Sequence, residues 1–108
     1  MMNSCNFIGR MLDEPRSFEE ASGIRAVFTL AVDRDKENYR DDGTSNADYL
    51  DFVAWGEVAN DIMRDYHKGD LVAVSDARAK VHSYVDGAGQ RKRKTEYRVS
   101  SIYHLPRG

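Results

Sequence analysis

Apolar and polar residues alternate with period two over long stretches of this chain, the pattern of strands with one buried face. Ile24, Ala26, Phe28, Leu30 and Val32 take every second position of residues 24–33, and Gly23 marks a turn before them. In residues 49–55, Leu50, Phe52 and Ala54 share one face, and Tyr49, Asp51, Val53 and Trp55 the other. Residues 6–12 read as a short first strand, stopped by Asp13-Glu14-Pro15 because proline cannot donate to a ladder. Residues 57–66 switch to helical spacing, with Val58, Ala59, Ile62, Met63 and Tyr66 on one stripe, and Gly69 closes the helix. Residues 71–84 predict a long fourth strand and 95–105 the last, joined at a hairpin tip containing Asp86-Gly87-Ala88-Gly89. Residues 34–47 are polar and carry the turn signal Asp41-Asp42-Gly43, so they form a loop.

Three strands, a helix and a two-stranded hairpin make an all-β layout: an OB-fold, the five-stranded Greek-key barrel with one helix between strands 3 and 4. A chain of 108 residues supports one such domain, spanning 1–108, with a modest core that oligomerisation would extend. The first strand, with Phe7, Ile8 and Met11 expected at its surface, predicts pairing across a two-fold axis.

The fourth strand carries the sharpest chemical signal. Arg78, Lys80, His82 and Tyr84 point one way, while Ala77, Ala79 and Val81 point toward the core. Cations track a phosphate backbone and flat rings stack unpaired bases, so this face suits a single-stranded nucleic acid. The net charge of −2 hides a strong asymmetry. Residues 78–94 hold six Lys and Arg against Asp86 alone, a balance of +5, whereas residues 33–51 hold seven acids against three cations. Over a screening length of ~8–10 Å the local patch outweighs the total. The run Arg91-Lys92-Arg93-Lys94 is expected to continue the Tyr84 face, with alternate residues reaching one strand and Arg91 and Arg93 as the pair that contacts phosphate. Arg10 and Arg34 are further cationic candidates.

Other chemistry finds little support. His67, His82 and His104 are scattered, without a neighbouring nucleophile, so no catalytic residue is assigned and the chain is not read as an enzyme. Residues 33–44 begin like a calcium loop but have Asn38 and Thr44 where glycine and glutamate are needed, so neither metal nor cofactor is expected. Cys5 is the single cysteine, no apolar run approaches the ~20 residues of a membrane span, and the start does not read as a signal peptide. A cytoplasmic protein with no membrane partner is expected.

Five segments carry a resemblance: residues 7–11, 28–32, 49–56, 68–72 and 83–90, in order and register from about Asn3 to Leu105. Together they resemble the bacterial single-stranded DNA-binding protein family. The resemblance implies a homotetramer, a dimer of dimers, that binds single-stranded DNA with little sequence preference in replication, recombination or repair. It places stacking aromatics at Tyr49, Trp55 and Tyr84 and basic contacts at Lys80, His82 and Lys68. A further family aromatic aligns with Lys36, with Tyr39 three residues on as the ring that could replace it. Trp55 has an alternative place, capping the core or in a subunit interface. Ser75-Asp76 stands where the family has an acid followed by glycine, so a different local bend is expected. The chain stops at Pro106-Arg107-Gly108 without the family's acidic tail, and no tail-mediated enzyme recruitment is expected. The rival readings are an OB-fold protein-interaction module, of primosome or mobile-element type, and an RNA-binding domain of cold-shock type.

Overall fold

The computed structural model describes residues 1–34 and 46–106. Its elements run β1 (Cys5–Met11), β2 (Arg16–Glu20), β3 (Gly23–Asp33), β4 (Ala47–Trp55), α1 (Gly56–Asp65), β5 (Leu71–Val85), β6 (Arg91–Arg98) and β7 (Ser101–His104). β1 pairs antiparallel with both β3 and β5, so the order β1-β3-β4-β6-β5 closes on itself as a five-stranded barrel. Within that circuit β4 and β6 run parallel, and α1 connects β4 to β5, the third and fourth barrel strands in chain order. The expected OB-fold layout is therefore present.

Two strands add to it. β2 folds back on β3, and β7 lies along the first half of β5. Every residue of β2 is exposed, so no buried face imposed the alternation by which a strand is read. The single last strand expected over 95–105 is instead two. β5 changes neighbours along its length, pairing with β7 at 72–75 and with β6 at 78–85. Between those halves lies a bulge at which two steps of β1 oppose three of β5. Asp76 at the bulge has φ 56°, the left-handed region. Its amide donates to Asn6 Oδ1 at 2.9 Å, and its carboxylate accepts from Ser4 Oγ at 2.8 Å. The unusual bend is thus held by side chains around the start of β1.

The core gathers the predicted alternating residues. Phe28 stacks on Phe52 with centroids 5.1 Å apart, and Phe7 meets Phe52 and Tyr97 edge-on at 5.5 and 4.8 Å. Ala59 and Ile62 of α1 are buried in the same cluster. The exposure expected of the first strand is corrected: Met11 is buried, Phe7 packs against the core, and of the three only Ile8 stands out, at 58%. β1 is not an edge, because closure gives it a partner on each side. Val81 is corrected too: it is 61% exposed, since β5 and β6 run on as a hairpin beyond the barrel.

Candidate nucleic-acid interface

Directly opposed residues on antiparallel strands project from one face, so the register of the barrel assembles the outer surface row by row. Tyr49, Asp51 and Trp55 point outward because Leu50, Phe52 and Ala54 point in. Tyr49 is 55% exposed, and Trp55, at the strand end, is half-buried. The chain turns from β4 into α1 at Gly56, whose φ of 62° suits glycine. Across β3, Tyr49 opposes Ala31, and Ala31 opposes Arg10 of β1. Arg10 therefore stands in the Tyr49 row, its guanidinium donating to the Gly69 carbonyl at 3.2 Å. Lys68 is the residue before that carbonyl, exposed in the turn that follows α1.

The hairpin supplies the other half of the surface. Arg78, Lys80, His82 and Tyr84 lie opposite Arg98, Glu96, Lys94 and Lys92 respectively. Tyr84 is 48% exposed. Tyr97, which opposes Ala79, packs into the core, so the Tyr84 face is the outward one. This register corrects one expectation. Arg91 and Arg93 oppose Val85 and Ser83, on the reverse of the hairpin, and Lys92 and Lys94 are the cations on the Tyr84 face. The alternation was legible in the run, but which pair joined Tyr84 depended on loop length. Arg98 is a further cation not singled out from sequence; it opposes Arg78 and sits beside Val53 of β4.

Acids on the same face temper these cations. Lys94 Nζ lies 3.4 Å from Asp51, which also accepts a hydrogen bond from Thr29 Oγ1 at 2.9 Å. His82 meets Glu96 at 3.3 Å, and Lys92 meets Asp86 at 3.7 Å. Arg34 is held by Asp48 at 2.8 Å beside the strand ends. Arg78, Lys80 and Arg98 are exposed without a carboxylate in ion-pair range among the described residues. Lys36 and Tyr39 lie outside the described residues. An open groove of about 470 Å³ crosses this face, lined among others by Arg16, Arg25, Thr29, Asp51, Lys94 and Glu96.

The three histidines are apart, each against a different carboxylate: His67 with Glu14, His82 with Glu96 and His104 with Asp70. Among the described residues no group of His, Cys, Asp and Glu is arranged to hold a metal, and no helix is long and apolar enough to cross a membrane.

Residues 2–105 match the Single-strand binding protein family. Single-stranded DNA-binding protein 1 of Clostridium acetobutylicum is 38% identical over 97 residues, covering 88% of this chain and 86% of that protein. The Single-stranded DNA-binding protein of Halalkalibacterium halodurans is 34% identical and Single-stranded DNA-binding protein A of Bacillus subtilis 32%. They cover 100% and 97% of this chain, which spans 64% and 60% of their lengths. Among solved structures, a Plasmodium falciparum SSB in complex with ssDNA superposes with a TM-score of 0.80 at 24% identity, covering 98% of this chain and 97% of that one. A small single-stranded DNA-binding protein from Streptomyces coelicolor gives 0.75 at 23%, covering 97% and 96%. The closed barrel, its outward aromatic and cationic face and these relatives agree: the chain belongs to the Single-strand binding protein family.

Proposed function

We propose that this protein binds single-stranded DNA without sequence preference and holds it extended in the bacterial cytosol during replication, recombination or repair. The observation that carries this reading is that Tyr49, Trp55 and Tyr84 share the outward face of the barrel and its hairpin with Arg78, Lys80 and Arg98. Stacking on a ring contributes ~1–3 kcal/mol per base and accepts any base, which gives affinity without a code. Lysine and arginine beside the rings take the phosphates. The strand is held rather than transformed, so the protein is read as a binding protein and not as an enzyme.

Assembly is part of the same reading. Ile8 of β1, Ala73 of β5 and Tyr103 of β7 form a row on the outer surface, with Ile8 and Tyr103 both exposed. A second copy laid on this row about a two-fold axis would bury it in both copies, giving a dimer, and a different surface would join two such dimers into a dimer of dimers. Several barrels on one strand multiply a modest single-site affinity through effective concentration. Light scattering at micromolar concentration should show that assembly, and a monomer there refutes it.

The deciding experiment is a titration with oligo-dT, oligo-rU and duplex DNA, read from the emission of Trp55, the sole tryptophan of the chain. Quenching by oligo-dT well below the concentration at which duplex acts is expected. No response to any of the three, by emission and by anisotropy of the oligonucleotide, returns the protein to the class of interaction modules.

A further inference from the structure

β2 has no part in the reading above, yet it presents an aromatic ring. Phe18 lies directly opposite Arg25 of β3, and Arg25 lies directly opposite Trp55 of β4. Arg25 points outward, since its neighbours Ile24 and Ala26 pack in the core. Phe18, Arg25 and Trp55 therefore form one row on the outer face, its ends two strand spacings, about 10 Å, apart. The Arg25 guanidinium sits 4.9 Å above the Phe18 ring, and Glu20 holds its Nε at 2.7 Å. Two residues from Phe18 on the same strand face is Arg16. It heads the next row, with Val27, Val53, Arg98 and Arg78. Arg16 is exposed and has no carboxylate in ion-pair range among the described residues.

The core does not explain this ring. Every residue of β2 is exposed, Phe18 is 43% so, and its strand neighbours are Ser17 and Glu19. A phenyl group braced by a guanidinium that is itself anchored loses little freedom when a base arrives. Both planes are of the kinds on which unpaired bases stack. A separation of about 10 Å from Trp55 leaves room for a different base from the one on the indole.

Resting on the single-stranded DNA reading, we propose that Phe18, braced by Arg25, is a fourth base-stacking position. It carries the strand past Trp55 onto β2, where Arg16 takes a phosphate. A contact between Phe18 and another protein surface is the competing role.

The test moves the reporter. In the double variant Phe18→Trp with Trp55→Phe, the sole indole stands at position 18 and a ring remains at 55. Oligo-dT is titrated while the anisotropy of a labelled oligonucleotide follows binding independently. The indole should quench in step with the anisotropy. In the otherwise native chain, Phe18→Leu should weaken binding of a long oligo-dT about 5- to 150-fold, the range for losing one stacked base. Leucine keeps an apolar cover for Arg25, and a matching circular dichroism spectrum confirms the fold. Anisotropy that rises while the indole at 18 keeps its emission overturns the Phe18 position and leaves the single-stranded DNA reading standing. A native chain that leaves the anisotropy of oligo-dT unchanged removes that reading itself.

Discussion

Lys94 of β6 and Asp51 of β4 form an ion pair at 3.4 Å in the middle of the outward face, between Tyr49 and the hairpin that carries Tyr84. The pair occupies a cation that a phosphate would otherwise draw. Asp51→Asn keeps an oxygen for Thr29 and frees Lys94. Exposed pairs of this kind contribute only about 0.2–1 kcal/mol to stability, so the fold should be nearly unaffected. Oligo-dT should bind tighter, and the slope of log affinity against log salt should steepen by up to ~0.7, one additional phosphate contact. Weaker binding, or an unchanged slope, would show that Asp51 does not restrain Lys94.

The two cation pairs of the hairpin are expected to differ. Lys92 and Lys94 lie on the Tyr84 face, and Arg91 and Arg93 on its reverse. In the Asp51→Asn chain, where Lys94 is free, replacing both lysines with Ala should flatten the salt slope by up to ~1.4, evenly across base compositions. The double arginine variant, losing the same formal charge, should change it less. Equal losses from the two variants would place the strand along both sides of the hairpin.

Gly9 sits where the barrel closes. A Cβ added there would lie 2.7 Å from the backbone oxygen of Ala31, and backbone cannot yield as a flexible side chain can. Gly9→Ala should therefore push β1 away from β3 and cost about 1–3 kcal/mol, as overpacking does. Urea denaturation should show a lower midpoint with an unchanged slope. An unmoved midpoint would mean that the strands separate freely at this point.

A pH-dependent clasp joins the segment after β1 to the turn after α1. The Glu14 carboxylate accepts the Lys68 amide, and His67 Nδ1 lies 3.0 Å from its other oxygen. The amide, and then the imidazole, hold Glu14 below its ordinary 4.5. The same carboxylate raises His67 above 6.5. The lowered acid stabilises above pH 4.5 and loses that contribution as pH falls through its folded value. The raised histidine stabilises below pH 6.5 and loses it as pH rises through its folded value. Both contributions are present between pH 4.5 and 6.5. The difference in Tm between the native chain and Glu14→Gln should peak in that window; a difference that stays level with pH removes the clasp.

Much of this architecture was legible in the residues because burial imposes a period. Residues 24–33 and 49–55 each had one face to hide, and α1 had one stripe, so their types and most of their limits follow from local pattern. The outward placing of Tyr49 and the strand-end position of Trp55 follow from the same alternation. β2 was not legible, because a strand exposed along its whole length has no pattern to show. Nor was the break between β6 and β7. It answers a bulge at Asp76 on another strand, pinned by Ser4 and Asn6, which are about 70 residues away in sequence. Which cations join Tyr84, and that Asp51 engages Lys94, are matters of register between strands. Register is set by loop length and barrel closure, so only the tertiary structure could decide them.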